Sequence, residues 1–325
     1  MKLSTELLFE KLQTEFTITA YGNLSSADGF LRPFLYDSKP LIDSRPIYEP
    51  LDKSKGITPG HVCLAHGKRL EEFIPHIFEE HFLVLTGTRG DVQKLSSAVF
   101  PYVVLSENTS LSSVLNFLQD IFDFYDDWSN ELNTFLLKND DITLLLHNAL
   151  KIFQNPLSVI SVDFSLIAET GEEKIPEKSR IFSDKEPNID YINALTQDET
   201  YQSFCNSPTP FFFPGYITGI STLTMNIFQN GVPTHRLILY EAQKPITRGD
   251  YCLLSHLAGY VEYLLYHQHI PISGQANDLH RILQTTLSDR SADYLDISHQ
   301  LSSLGWNTRH EYLCLVYQTT YLDQK

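Results

Sequence analysis

The sequence predicts a mixed chain in which an α/β region is followed by an α+β region, with a long helix joining them. Three observations support this fold class. Short apolar strands alternate with helix-like stretches before residue 110, as in βαβ units with a parallel sheet. A seven-residue apolar repeat follows, and the strand pairs after it have tight turns that indicate antiparallel pairing. The 325 residues are 42% hydrophobic, and one core rarely exceeds about 250–300 residues, so we expect two or three domains.

Residues 1–110 are predicted to form a small N-terminal α/β domain. An amphipathic helix opens it, with an apolar face made of Leu3, Leu7, Leu8 and Leu12. A loop-rich segment follows. Apolar runs then predict three strands, over 62–65, 82–86 and 102–105. Helix-like stretches lie between them, over 70–80 and 92–99. This alternation favours a parallel sheet, because parallel neighbours need a crossover connection.

Residues 111–140 are predicted to be a connector and dimerisation helix. Apolar side chains recur there at alternating steps of three and four residues, as in a coiled coil. The repeat, which we call the seam, consists of Leu111, Val114, Leu118, Ile121, Tyr125, Trp128, Leu132 and Phe135. Because Tyr125 and Trp128 would be costly to leave in water, we predict a homodimer through the seam from Leu111 to Leu132. Packing of the seam within its own chain is the competing interpretation.

Residues 141–270 are predicted to be an α+β sensor domain of the GAF or PAS kind. A helix over 142–153 ends before Asn155-Pro156, because the residue before a proline disfavours the helical conformation. Four strands are predicted, over 157–163, 166–169, 223–228 and 236–240. Gln229-Asn230-Gly231 is a strong hairpin signal between the last two. Thr247 then caps a closing helix whose apolar face is Leu254, Leu257, Val261 and Leu264.

Residues 275–325 are predicted to begin a further domain. A helix comes first, and a strand over 312–317 comes last. One strand cannot satisfy its own edges or bury its own face. We therefore expect this sequence to be the front part of a longer protein.

Three stretches of the sequence carry a resemblance to a known family. The first joins Phe82-Leu-Val-Leu-Thr and Pro101-Tyr-Val-Val-Leu105 to Tyr125-Asp-Asp-Trp128. The second joins 155–163, 167–171 and 244–250, and the third is Leu301-Ser-Ser-Leu-Gly-Trp306 followed by 311–317. In their order and spacing the chain resembles the bacterial PucR-type regulators of purine catabolism and sugar-diacid use. There, an N-terminal α/β domain and a GAF-like domain precede a degenerate GGDEF-like domain and a C-terminal helix-turn-helix.

The resemblance implies that this chain is the sensory and dimerisation region of a bacterial transcriptional regulator that responds to a small metabolite. Residues 275–325 would begin the GGDEF-like domain, and DNA would be bound only by a helix-turn-helix beyond residue 325. The alternative is the sensory region of a signalling enzyme whose catalytic domain lies downstream. An enzyme acting through the N-terminal α/β domain is a third hypothesis. The sequence does not identify the effector, because a fold does not fix its ligand.

Composition narrows the possible partners. The formal net charge of −16 repels a phosphate backbone, and the basic residues are not gathered into one stretch. Four cysteines are scattered along the chain without a close pair, which favours a reducing compartment. The first ten residues lack the apolar core of a signal peptide, and no apolar run reaches the roughly 20 residues that span a bilayer. We therefore expect a cytoplasmic protein with no membrane contact.

No motif predicts a catalytic residue, a metal or a cofactor, so we expect no enzyme activity. Thr86-Gly87-Thr88-Arg89-Gly90-Asp91 follows a strand and opens a helix, where an anion can bind, but an ordinary turn is the favoured interpretation. His61, Cys63 and His66 lie close together, but no second cluster completes a zinc site. A nucleophile elbow is absent from the sequence, and the carboxylate runs are interpreted as solvated surface.

The strongest candidate for a ligand site is the aromatic run Phe211-Phe212-Phe213-Pro214-Gly215-Tyr216. In a GAF-like module, loops and the sheet surface enclose a cavity, and such cavities are mainly apolar and aromatic. We predict that a ligand contacts Phe211, Phe212, Tyr216 and Met225. The competing interpretation is that these rings only close the core or form a dimer contact.

Overall fold

The computed structural model describes residues 1–22, 29–35, 60–69, 82–88, 93, 95, 100–138, 141–183, 186–229 and 231–267. Within them the chain is a mixed α/β protein with six α-helices and two five-stranded sheets. Contacts divide the chain into two units, Met1–Leu264 and Leu265–Lys325. The predicted helix over 70–80, most of that over 92–99 and the predicted domain over 275–325 lie outside the described residues.

The first sheet is parallel except for one edge strand. Its strands are β1 (Ile18–Tyr21), β2 (Leu31–Leu35), β3 (His61–His66), β4 (Phe82–Thr86) and β5 (Tyr102–Leu105). The order across the sheet is β1-β5-β4-β3-β2; β2 to β5 run parallel, and β1 is antiparallel to β5. All five side chains of β4 are buried, as expected of a central strand covered on both faces.

Two strands of this sheet lie where the sequence predicted a loop. Both β1 and β2 are edge strands, so their apolar pattern is weak: β1 has no buried side chain. β2 contains Pro33, which cannot donate to a neighbouring strand and is tolerated at an edge. The three predicted inner strands are confirmed at 61–66, 82–86 and 102–105.

The opening helix, α1 (Thr5–Glu15), is confirmed, and Leu7, Leu8 and Leu12 are buried. The side chain of Ser4 caps it by accepting from the Leu7 backbone N–H at 3.2 Å. Leu3 lies outside the helix and forms a two-way backbone bridge with Phe30. The start of the chain is thereby attached beside β2.

The long helix α2 (Leu111–Lys138) carries the seam, and the seam is enclosed by its own chain. The seven side chains predicted to form a dimer contact are all buried: Leu111, Val114, Leu118, Ile121, Tyr125, Trp128 and Leu132. Phe135 is half-buried. The helix contacts α1, β2 and β3 as well as the helix that follows it. The seam therefore packs within its own chain, as the competing interpretation expects, and the homodimer through the seam stays a prediction.

Helix α3 (Ile142–Phe153) matches the predicted bounds. Asp141 caps its start by accepting from the Thr143 backbone N–H at 3.1 Å. Gln154 ends it in the left-handed conformation, with φ of 55°. This places Asn155-Pro156 directly before the second sheet, as the sequence predicted.

The strands of the second sheet are β6 (Leu157–Ser161), β7 (Leu166–Thr170), β10 (Phe211–Phe213), β11 (Thr222–Gln229) and β12 (Val232–Tyr240). Their order across the sheet is β10-β11-β12-β6-β7, and all neighbours are antiparallel. A two-stranded ribbon, β8 (Phe182–Ser183) and β9 (Glu186–Pro187), precedes two short helices, α4 (Ile189–Gln197) and α5 (Glu199–Phe204).

The closing helix is α6 (Arg248–His267), in which Asp250 accepts from the Thr247 backbone N–H at 2.8 Å. Among the described helices, none combines the length and apolar character needed to span a membrane.

Candidate ligand site on the second sheet

One face of the second sheet is closed by the segment between β7 and β11, and we call it the covered face. The strand register places Ser158, Ile160, Asn226, Arg236, Ile238 and Tyr240 on this face. The covering segment contributes two short 3₁₀ turns, the β8–β9 ribbon, α4 and α5. Together they form a core of Ile160, Phe164, Ile175, Ile181, Phe182, Leu195, Tyr201, Phe213, Ile220, Ile238 and Tyr240.

Several polar side chains lie within this apolar core. The Ser158 and Tyr240 hydroxyls are 2.8 Å apart, and burial raises the pKa of Tyr240. Asn226 donates from Nδ2 to the backbone oxygens of Phe204 at 2.9 Å and Ser207 at 3.0 Å. These bonds tie the end of α5 to β11 and fix the orientation of the amide. The Oδ1 atom of Asn226 is buried and has no hydrogen-bond partner in the part of the chain that the structure describes.

Arg236 is the most unusual residue of the covered face. Its side chain is directly across from Asn226, and the residue is only 5% exposed. The guanidinium carbon lies 5.3 Å from the centre of the Phe164 ring and 5.5 Å from that of Tyr201. Nη2 makes a weak contact of 3.7 Å with the Cys205 sulfur. Nε and Nη1 have no hydrogen-bond partner within the described ranges.

A buried cation of this kind is energetically expensive. Removing an ion from water costs several kcal/mol unless a counter-charge and hydrogen bonds replace the lost hydration. Among the described residues, no carboxylate forms a salt bridge with Arg236. Burial raises the pKa of Tyr201, and the neighbouring Arg236 charge offsets part of that increase. Two aromatic faces therefore provide much of the stabilisation that the guanidinium receives.

Two cavities lie at the margin of the covered face. A cavity of about 260 Å³ is lined by residues including Ser158, Arg180 and Tyr240. A second cavity of about 540 Å³ runs along β7, with Phe164 in its wall. Glu169, Glu172 and Phe182 line both cavities, so the two spaces adjoin. The Phe164 ring therefore lies both in the wall of the larger cavity and next to the Arg236 guanidinium.

Phe164 has a left-handed backbone. Its φ is 64°, a conformation that bulky residues rarely adopt. It lies in the turn between β6 and β7, where its N–H donates to the Ser161 carbonyl at 3.0 Å. Ser161 and Ser165 hold the Asp163 carboxylate and keep its pKa below the ordinary value. The turn thus carries strain at a residue that lines the larger cavity.

The four residues predicted to bind a ligand are not brought together. Phe211 is buried on the covered face and stacks on Phe204, with ring centres 5.0 Å apart. Phe212 and Met225 lie on the opposite face, because they pair with Leu223 and Leu237. Tyr216 is 59% exposed, and its hydroxyl donates to Asp198 at 2.8 Å. The aromatic run therefore supplies side chains to two faces and to the surface.

The sequence missed Arg236 and Asn226, although a signal for both is present. Along β12, Arg236 alternates in phase with Ile238 and Tyr240, so strict alternation places a charged side chain among inward-facing residues. Asn226 is likewise in phase with Thr224 and Thr222 along β11. A charged residue at an inward position of an apolar strand is the informative exception.

Two further candidates from the sequence, the cluster of His61, Cys63 and His66 and the turn after Thr86, belong to the first sheet. Cys63 is fully buried, and burial raises the pKa of its thiol to about 12. His66 Nδ1 lies 2.8 Å from the Thr86 hydroxyl. Residues 89–91 of the predicted anion-binding turn lie outside the described residues. In the described residues, no group of three or more His, Cys, Asp or Glu side chains is placed to hold a metal ion.

A serine–histidine contact joins α2 to α6. The Ser129 hydroxyl lies 3.0 Å from His256 Nε2 and 3.0 Å from the Tyr260 hydroxyl. Burial lowers the pKa of His256 to about 4, with a smaller contribution from the chain's amino terminus. So weak a base is poorly suited to accept a serine proton near neutral pH. The contact is interpreted as packing between the two helices.

Comparison with known proteins gives no family: no protein-family model matches the sequence, and no curated protein matches it.

Proposed function

We propose that this chain is the sensory region of a bacterial transcriptional regulator of the PucR type and that it responds to a small metabolite. In this proposal residues 141–270 form a GAF-like sensor, and a region outside these 325 residues contacts DNA. The observation that carries the proposal is the covered face, where an antiparallel sheet, a closing segment and two adjoining cavities enclose polar groups within an apolar core. Small molecules bind preferentially in sites of this composition.

The connections of the second sheet support a route from ligand to output. β12 carries Arg236 and leads after a short turn into α6, which contacts α2 through Ser129, His256 and Tyr260. A ligand that favours one arrangement of the covering segment also favours one position of these helices. Such a ligand shifts the population between two states by its difference in affinity for them. The mechanism therefore needs no chemical step.

A second function fits the same site. The covered face also suits the sensory region of a signalling enzyme, because ligand sensing does not specify the output. The two functions differ in what the ligand changes. For the regulator, ligand alters promoter binding by the complete gene product, whereas for the enzyme it alters turnover of a nucleotide substrate.

The proposal is tested by a thermal-shift screen of central metabolites against the 325-residue chain, with calorimetry on each positive. A ligand present at about 100 times its Kd stabilises the folded state by about 2.7 kcal/mol, which gives a measurable rise in Tm. We expect at least one metabolite class to bind with a stoichiometry of one per chain. Absence of any binder at millimolar concentration contradicts the sensory function.

A further inference from the structure

We infer that Arg236 is the anion-recognition residue of the covered face and that the ligand is a small apolar or aromatic monocarboxylate. The inference rests on the proposed sensory function and adds the chemical class of the effector. It begins from a guanidinium that is nearly fully buried, with a weak thiol contact and two donor atoms left without partners among the described residues.

The unsatisfied donors point to a missing anion. An arginine presents five N–H donors in a planar fork that matches a carboxylate. At Arg236 the surroundings supply aromatic faces and a sulfur atom, but none of the described residues places an oxygen acceptor in a hydrogen bond with Nε or Nη1. A carboxylate at this position provides both the counter-charge and the hydrogen bonds that the described surroundings lack. The benefit is large because the site is shielded from water.

Asn226 adds a second polar atom to the same place. It is the cross-strand partner of Arg236, and its Oδ1 is buried without a hydrogen-bond partner in the described part of the chain. Since Nδ2 is already committed to two backbone oxygens, Oδ1 is available as an acceptor. The site thus offers donors for a carboxylate and one acceptor for a neighbouring hydroxyl or N–H group of the ligand.

Arg236 does not itself line either cavity, so the inferred ligand reaches it by displacing Phe164. Phe164 covers the guanidinium on one side and lines the 540 Å³ cavity on the other. On this inference, rotation of the ring opens the route from the cavity to the guanidinium. The left-handed backbone at Phe164 favours such movement, because displacement of the turn relieves strain.

The charges around the cavity favour a monocarboxylate over phosphate. One guanidinium balances one negative charge. In addition, Asp163, Glu169 and Glu172 line the cavity through which the ligand enters. These carboxylates repel a dianion more strongly than a monoanion. Phe164, Phe182 and Tyr201 are suited to pack against an apolar or aromatic body of the ligand.

A purely structural role for Arg236 predicts a different outcome. If the guanidinium serves only to hold Phe164 and Tyr201 together through cation–π contacts, its removal destabilises the empty protein and leaves ligand affinity unchanged. If it awaits an anion, its removal relieves an unpaired buried charge. The empty protein is then at least as stable as the wild type, and carboxylate binding is lost.

The experiment measures binding and Tm for the 325-residue chain with benzoate, with neutral benzamide and with inorganic phosphate. The test variant is Arg236→Met, and the matched control is Arg248→Met, which removes an exposed arginine whose guanidinium carbon lies 5.4 Å from the Tyr251 ring. We expect benzoate to bind the wild type and the control equally, and to bind Arg236→Met at least about tenfold more weakly. Benzamide and phosphate should bind none of the three proteins.

Four results overturn the inference. These are equal benzoate affinity in Arg236→Met, benzoate failing to bind the wild type at millimolar concentration, phosphate binding the wild type more tightly than benzoate, and a lower Tm for the empty variant. An Arg236→Met variant that does not fold counts as the last of these results. Arg236→Lys is measured as well, because it keeps the charge without the planar fork. Unchanged affinity in that variant also overturns the inference. A metabolite that binds wild type and Arg236→Met alike leaves the sensory function standing while removing this site from it.

Discussion

Asn155 illustrates how one side chain can connect distant parts of the fold. It is completely buried between α3 and β6, and its Oδ1 accepts from the backbone N–H groups of Gln243 at 2.8 Å and Lys244 at 3.2 Å. Its Nδ2 donates to the Lys244 carbonyl at 2.9 Å. We expect Asn155→Ala to lower the free energy of unfolding by about 2–4 kcal/mol, because the backbone groups it satisfies lose their partner. Urea denaturation measures this change.

Asn130→Ala is the matched control for that experiment. Asn130 is exposed on α2, so its removal should change the free energy of unfolding by less than about 0.5 kcal/mol. Equal effects of the two substitutions contradict the role assigned to Asn155.

The buried imidazole of His256 makes stability depend on pH. Burial lowers its pKa in the folded state from 6.5 to about 4, so protonation opposes folding. The stabilising contribution of the neutral ring is complete above pH 6.5 and is lost as the pH falls toward 4. We expect His256→Gln to reduce the loss of stability across this window in denaturation curves. His147→Gln, at an exposed position on α3, is the matched control.

At the scale of secondary-structure elements, the buried seam of α2 determines what its substitution does. Leu118 is fully buried, so Leu118→Ala should lower the free energy of unfolding by about 2–5 kcal/mol. Phe124→Ala is the control on the same helix, since Phe124 is 54% exposed, and it should have a much smaller effect. Denaturation and light scattering are measured together. A variant that changes from dimer to monomer without losing stability restores the seam as a dimer contact.

The elements that could be predicted from sequence are those with complete local signals. α3 has an acidic cap at Asp141 and a proline after its end, and β4 is an unbroken apolar run; both have the bounds that were predicted. β1 and β2 were missed because edge strands bury little side-chain surface and therefore show little periodicity. The heptad pattern of α2 was recognised, but periodicity identifies a face without identifying what covers it.

The candidate site could not be predicted for the same reason, because a sequence pattern does not show which elements a side chain contacts. The aromatic content around Phe211 was visible in the sequence, but the face to which each ring points depends on the register with β11. The environment of Arg236 depends on Phe164, Tyr201 and Cys205, which come from three separate segments. Only the tertiary structure brings these segments together.

At the scale of the whole molecule, charge sets the expected behaviour toward nucleic acid. The chain has 40 acidic and 24 basic residues, and this excess repels the DNA backbone. We expect the 325-residue chain alone not to retard duplex promoter DNA at physiological salt in a gel-shift assay. A weak complex that disappears as salt rises agrees with nonspecific contact. A complex that persists at physiological salt contradicts the placement of DNA binding outside this chain.

The burial of α2 also bears on where this chain could be cut in a gene fusion. The helix packs on α1, β2 and β3, and Trp128 contacts both Phe153 and His256. A fusion that cut the chain near residue 110 would separate the first sheet from α2, and a cut near residue 140 would separate Trp128 from Phe153 and His256. Either cut would expose an apolar surface that favours aggregation. Both sheets belong to the one compact unit Met1–Leu264, so we expect a fusion partner to be tolerated better outside this unit than within it.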